Sequence, residues 1–373
     1  MTRQEYNYWI SNITNIGPKK IELLLDIFGN AEEVFKASRN ALGNVIAKAK
    51  MDRTVRFMKS DLDNIIQSKD KEKISKNYGR LLERGIQFIT KEDKEYPDKL
   101  REIYNPPFAL FVKGRLPDKA RKAIAIVGAR ECTPYGKETT RYMSKALASE
   151  GVIILSGMAR GIDSYAHMGA LEASGITCAV LGCGIDICYP KENINLYMEI
   201  QDEGAIISEY GPGVQPYAGN FPMRNRIISG LSDGVLVIEA KEKSGSLITV
   251  DMGLDQGKEI YALPGRISDR LSSGCNNLIK MGAKPVTSPQ DILEDLFINY
   301  KNTPQNRKEN GLHMSLNSKE KQVYDLIGIE PMHMEFISCQ TEQPLDELME
   351  ILLRLELAGA ITQSMKNYYV RKL

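Results

Sequence analysis

Five short runs of apolar residues, at 124–127, 152–155, 178–181, 235–238 and 260–263, constrain the fold more than anything else in this chain. Each is nearly continuous, as in Val235-Leu236-Val237-Ile238. A strand with one wet face alternates apolar and polar side chains, whereas a strand covered on both faces does not. Between the runs lie stretches with helical apolar spacing, among them 135–150 and 163–173. Strand alternating with helix predicts βαβ units, and therefore an α/β fold built on a doubly wound, mostly parallel sheet.

The flanks read differently. Residues 1–80 carry helical spacing (Ile21, Leu24, Leu25, Phe28) without strand-like alternation, which predicts an all-helical N-terminal domain. The α/β core is expected over 85–298. Residues 299–315 are polar and nearly devoid of core formers, the composition of a linker. Within 316–373, periodicity and breakers predict helices at 319–327, 333–339 and 345–357, then a hairpin pairing 360–363 with 368–371. That order is winged-helix-like.

Composition narrows the function. No apolar stretch reaches the length of a membrane span and the first residues lack a signal-peptide pattern, so a cytoplasmic protein without membrane insertion is expected. The six cysteines form no C-x-x-C pair, which argues against a zinc site or a disulfide framework and fits a reducing compartment. A net charge of +1 excludes capture of a polyanion by bulk charge, so any such binding must come from local clusters. The charge is unevenly spread, with ten Lys/Arg against six Asp/Glu in 1–60 and six against nine in 316–373.

In open α/β sheets, ligands bind beyond the carboxyl ends of the strands, where loops enter helices. Gly128-Ala129-Arg130 follows the first run, where a dinucleotide fingerprint would lie. Without G-x-G-x-x-G it disfavours a nicotinamide cofactor and suits a phosphate held by the Gly128 backbone and Arg130. A tight turn with a surface arginine satisfies the same residues. The loop Ser156-Gly157-Met158-Ala159-Arg160-Gly161-Ile162-Asp163 offers two glycines, a cation and an N-cap-like Asp163. His167, one turn further on, reads as a packed residue rather than a catalytic base. Leu181-Gly182-Cys183-Gly184 supplies glycines without a cation, and its continuation Tyr189-Pro190-Lys191-Glu192-Asn193 either contacts a ligand or merely starts the next helix. Ser244-Gly245-Ser246 at a helix start forms a nest of backbone N–H groups.

To these loops is added Phe221-Pro222-Met223-Arg224-Asn225-Arg226, read as two guanidinium groups and an amide delivered to a helix start. Free N–H groups and the helix dipole already favour anions there, and arginine adds donors matched to phosphate. Arg130, Arg160, Arg224 and Arg226 around one sheet edge are more cation than a single phosphate requires. A chain of phosphates fits them.

Taken in this order, with Ser208-Glu209-Tyr210 and Leu263-Pro264-Gly265, the motifs closely resemble the DNA-processing protein A family (DprA/Smf) over about 85–298. The resemblance implies an extended Rossmann-like core, a homodimer, and a binding protein rather than an enzyme, with no cofactor. It implies single-stranded DNA binding during natural transformation, protecting incoming strands and helping to load RecA recombinase. The family's phosphate pocket is built around a Gly-Ser-Arg loop, matched here by Gly128, Ala129 and Arg130, so the serine hydroxyl is missing. Arg224, Asn225 and Arg226 match its second basic element, and Ser244, Gly245 and Ser246 its small-residue loop. Gly157, Arg160 and Gly161 join the expected DNA contacts, and Phe221 is placed to stack bases.

The flanking domains bear on this reading. Residues 13–20 resemble the hairpin of helix-hairpin-helix modules, with Asn15 in place of the usual first glycine; asparagine tolerates a left-handed turn. Lys19 and Lys20 are then candidate DNA contacts, a domain that only packs being the alternative. The third helix of the winged-helix-like domain carries four acidic residues and one arginine, Arg354. Such a helix repels phosphate, so the domain reads as a protein–protein or regulatory module instead of a reader of DNA. The alternative function is a Rossmann-type nucleotide-processing enzyme resembling the phosphoribohydrolases, which act on nucleoside monophosphates. Their glycine-rich loop is followed by a catalytic glutamate, whereas no acidic residue follows Ser244 here until Asp251.

Overall fold

A computed structural model describes residues 1–51, 55–58, 60–296, 316–328 and 330–371; the expected linker at 299–315 lies outside them. The central sheet has the order β1-β2-β6-β5-β4-β3-β7-β8-β9. Its strands are β1 (Gln87–Thr90), β2 (Ala109–Gly114), β3 (Ala123–Val127), β4 (Ile153–Ser156), β5 (Thr177–Leu181), β6 (Ala205–Ser208), β7 (Gly234–Val237), β8 (Glu259–Ala262) and β9 (Lys284–Pro285). From β6 across to β9 all neighbours are parallel, and β1–β2 and β2–β6 are antiparallel. The sheet is thus doubly wound and mostly parallel, with an antiparallel edge.

β3 shows why the apolar runs are continuous. Ala123, Ala125 and Val127 join one core layer with Ile227, Ile228 and Val250, from the helices Asn220–Leu231 and Gly245–Asp255. Ile124 and Ile126 join the opposite layer with Met143, Leu147, Ile162 and Ala166, from Pro134–Ser149 and Ile162–Glu172. Both faces are dry, and each fully buried aliphatic side chain contributes about 1.5–3 kcal/mol of transfer free energy. From β3 the chain steps to β4 on one side, and β7 later returns on the other. The crevice outside the carboxyl ends of β3 and β7 is therefore the topological switch point of the sheet.

The N-terminal unit is helical, as expected, and packs around Tyr6, Trp9, Ile10, Leu24 and Phe35, with the Trp9 and Phe35 rings edge-on at 5.0 Å. Asn15 adopts a left-handed φ of 66°, the conformation the hairpin resemblance requires of it. Tyr8 joins this unit to the sheet, meeting Phe88 of β1 edge-on at 5.7 Å and Phe111 of β2 at 6.3 Å.

At the other end, helices Ser318–Leu326, Met334–Thr341 and Leu345–Leu357 pack with a small sheet of β10 (Met332–His333), β11 (Ile361–Met365) and β12 (Tyr368–Arg371). This is a winged helix with Val323, Ile337, Leu348, Leu352 and Ile361 at its centre. The two-residue β10 carries no sequence periodicity and was not anticipated. Among the described residues no helix is long and apolar enough to cross a membrane.

Candidate functional site

The switch point opens on a cleft of about 570 Å³. Three loops remote in sequence line it: Gly128 and Arg130 after β3; Phe221, Arg224 and Asn225 on the helix Asn220–Leu231; and Ser244, Gly245 and Ser246 after β7. Lys243 and Tyr189 line it as well, as do Ala159 and Asp163 from the loop after β4. A larger crevice of about 920 Å³, between the 264–272 loop and Glu330 of the winged helix, contains none of the anticipated residues.

The cleft combines two kinds of surface. Ser244 caps the helix Gly245–Asp255, its hydroxyl accepting the Ser246 N–H at 3.4 Å, so the positive end of that helix faces the cleft. Arg130 and Lys243 are exposed, and among the described residues neither is paired with a carboxylate. Beside them the Phe221 and Tyr189 rings lie 5.6 Å apart at 36°, and the Arg130 guanidinium sits 6.0 Å from the Phe221 centroid. Free cation and ring face are therefore adjacent, as a strand with both phosphates and bases demands.

Arg224 and Arg226 depart from expectation. The helix begins at Asn220, so both lie beyond its first turn, and both are buried, 5% and 4% exposed. Residues two apart on a helix point to different sides and cannot share one ligand. Arg224 reaches under the cleft floor, donating through Nη1 to the carbonyl of Gly157 at 2.8 Å and to that of Val180, and through Nε to Asn225 Oδ1 at 3.1 Å. Arg226 points away and holds both Glu209 carboxylate oxygens through Nη2, at 2.7 and 2.8 Å. Burial pushes the Glu209 carboxyl up, and Arg226 pulls it back. The guanidinium pair thus braces the sheet edge; only Arg224 also lines the cleft.

The 156–163 loop also differs. Gly161, with φ of 73°, is the N-cap of Ile162–Glu172, and Asp163 lies within the first turn. The Asp163 carboxylate accepts the N–H groups of Gly157 at 3.1 Å and Ala159 at 3.4 Å, so the anion nest expected there is filled by the chain's own carboxylate. Burial raises the Asp163 carboxyl, while Arg224 and these N–H groups lower it. Any side chain at Gly161 would strike the carbonyls of Ala129 and Arg130, so this glycine lets the two loops pack together. Arg160 is exposed, outside the cleft lining, and paired with Glu192.

Ala129 lies outside the lining too, its N–H given to the Glu239 carbonyl at 2.8 Å and its carbonyl accepting from Ile162 at 3.1 Å. In the N-terminal unit, Lys20 is tied to buried Asp61 at 2.7 Å and to the Asn15 carbonyl at 2.7 Å, which withdraws it from solvent. Lys19 is exposed and bonds the Tyr104 hydroxyl at 2.6 Å. Lys243 was missed by sequence reasoning; its signal was position, one residue ahead of a Ser cap. His167 is fully buried and not a base: burial, aided by Arg224, pushes its pKa down to about 3.

A Rossmann-like core with an anion-suited cleft at its switch point, followed by a winged helix, defines the class of the protein. The model of the family described as DNA recombination-mediator protein A matches residues 87–297, more than half the chain, and a DprA winged helix domain matches 309–364. The chain belongs to the DNA-processing protein A family. It is 47% identical over 203 residues to the DNA processing protein DprA of Streptococcus pneumoniae, covering 54% of this chain and 72% of that one. The X-ray structure of the Streptococcus pneumoniae protein aligns with a TM-score of 0.65 at 36% identity, over 79% of this chain and 98% of its own. DNA processing protein A of Helicobacter pylori, whose structure is described for its single-stranded DNA binding mode, aligns with a TM-score of 0.51 at 32% identity over 57% of this chain and 96% of its own.

Proposed function

We propose that this protein binds single-stranded DNA without sequence preference in the cleft at the carboxyl ends of β3 and β7. The observation that carries this reading is the meeting of unpaired Arg130 and Lys243 with the Phe221–Tyr189 ring pair at a capped helix start. Phosphates are held by the two cations and by N–H groups of the Gly128 and Ser244-Gly245-Ser246 loops. Bases stack on the rings, which duplex DNA cannot offer because its base faces are already stacked. Asn225 contacts the strand from the cleft wall, and Arg224 lies beneath it. The single-stranded DNA binding described for the Helicobacter pylori relative supports the same reading.

Membership of the DNA-processing family supports a role in handling DNA, and we extend the reading to natural transformation, with protection of incoming strands and delivery to RecA recombinase by a homodimer. Residues 85–298 form the DNA-binding core, Lys19 adds a peripheral contact, and the winged helix serves protein partners. A phosphoribohydrolase activity is not favoured. The cleft carboxylate, Asp163, is held by backbone N–H groups, and the Ser244 helix start has no acidic residue in its first turn.

The test is fluorescence anisotropy of labelled oligo-dT, with duplex DNA as competitor. Arg130→Ala and Lys243→Ala are each expected to weaken binding, and duplex to compete poorly. Wild-type affinity in both variants sinks the assignment.

A further inference from the structure

The third helix of the winged helix, Leu345–Leu357, is apolar on two sides. Leu348, Ile351, Leu352 and Leu355 fill the domain core. Leu345, Met349, Leu353 and Leu357 remain 43%, 57%, 56% and 80% exposed. These four stand at steps of four residues, so their side chains line up as one continuous ridge along the helix. An exposed ridge of large aliphatic side chains on a small domain marks an interaction surface, since isolated apolar residues would scatter.

The charges beside the ridge state what fits it. Asp346 and Glu350 are exposed, each one position round the helix from a ridge residue. Arg354 is the only cation on this helix, and it is engaged by Glu350 at 2.7 Å and by Glu320 at 3.4 Å. Glu347, on the remaining side, is held by Lys319 at 2.5 Å. The whole segment 316–373 has nine acidic residues against six basic. A phosphate backbone is repelled here, and a second copy of the same ridge would set acidic flank against acidic flank.

We propose that this ridge docks a basic amphipathic helix of a protein partner, with aliphatic residues set into the grooves beside the ridge and Lys or Arg opposite Asp346 and Glu350. The partner is thus recognised by its own i, i+4 apolar face and cationic borders. The surface is separate from the DNA cleft, so the two are testable apart.

The probe is a labelled helical peptide of leucine and lysine, with leucines repeating at i and i+4, titrated into the full chain without DNA and followed by anisotropy. Its glutamate-for-lysine counterpart and a scrambled peptide are run in parallel. The basic peptide is expected to bind saturably, more weakly as salt rises, and the other two not. Met349→Glu/Leu353→Glu changes only exposed side chains and is expected to weaken the peptide by roughly tenfold or more, the scale of losing hot-spot contacts. Asp346→Lys/Glu350→Lys is expected to transfer the preference to the acidic peptide. Unchanged oligo-dT affinity in both variants shows that the core remains folded, and an unchanged far-UV circular dichroism spectrum shows that the winged helix does. The proposal is overturned by absence of basic-peptide binding, by equal binding of the acidic or scrambled peptide, or by equal binding to the Met349→Glu/Leu353→Glu variant. It is also overturned if that variant lowers the sedimentation mass of the full chain without peptide, because the ridge is then covered by a second copy.

Discussion

Arg224 and Gly157 occupy one another's space: the guanidinium donates to the Gly157 carbonyl at 2.8 Å and fills the volume that any side chain at 157 would need. The contact clamps the helix Asn220–Leu231 to the loop after β4, and so sets the floor of the cleft. Arg224→Met removes the donors from two buried carbonyls and leaves Asp163 buried without a compensating charge, which costs about 3 to 5 kcal/mol. Gly157→Ala forces the guanidinium aside, at about 1 to 3 kcal/mol. Denaturant midpoints check both, and a midpoint for Arg224→Met equal to that of the parent refutes the clamp.

Arg226 and Glu209 give a sharper separation of scaffold from contact. Breaking the pair singly, by Arg226→Met, is expected to destabilise by about 3 to 5 kcal/mol, whereas replacing both partners with apolar residues is nearly neutral. Arg226→Met/Glu209→Leu therefore recovers most of the lost stability and binds oligo-dT as the parent does. Weak DNA binding by a double variant of restored stability would make Arg226 a contact after all.

Much of this was legible in the chain. The five continuous runs became β3, β4, β5, β7 and β8, because burial on both faces leaves no alternation to obscure them. The antiparallel edge, where β2 pairs with β6 and β1 with β2, had no sequence signal, because an apolar run does not state which way its strand runs. The loops that build the cleft were visible as glycine and serine clusters. The arginines of 221–226 were misplaced for a readable reason: Arg224 precedes Ile227, Ile228 and Leu231 by three, four and seven residues, and so shares their core-facing stripe. Motif composition suggested a ligand where helical phase already indicated burial. Lys243 and the Tyr189–Phe221 ring pair depend on loops meeting across the sheet, which no local pattern encodes.

For the cations that do face the cleft, salt dependence is the discriminating measurement. Neutralising one phosphate-contacting side chain reduces the slope of log K against log salt by about one. Arg130→Ala and Lys243→Ala are each expected to show that decrement, and together about two if they hold different phosphates. Arg160→Ala, paired with Glu192 outside the cleft, is expected to leave the slope unchanged. A slope unaltered in Arg130→Ala removes that residue from the phosphate path even if affinity falls.

His167 gives the fold a dependence on acid. The Thr177 hydroxyl donates to the Ile154 carbonyl at 2.8 Å, so at 2.6 Å from His167 Nδ1 it can only accept, which places the imidazole proton on Nδ1. Nε2 has no partner among the described residues, and burial with Arg224 nearby holds the pKa at about 3, against 6.5 in an open chain. Between those two values the unfolded chain binds a proton that the folded chain refuses. The contribution is therefore complete above about pH 6.5 and is lost as pH falls towards 3, by roughly 5 kcal/mol in all. His167→Met keeps the volume and removes the titration, so its stability near neutrality is expected within about 1.5 kcal/mol of the parent. Urea midpoints taken at neutral pH and at about pH 4.5 should show the parent losing about 2 to 3 kcal/mol more than the variant. Equal acid losses in the two proteins would mean that His167 takes up its proton in the folded state as readily as in the unfolded one, and that the buried neutral imidazole is not the source of the dependence.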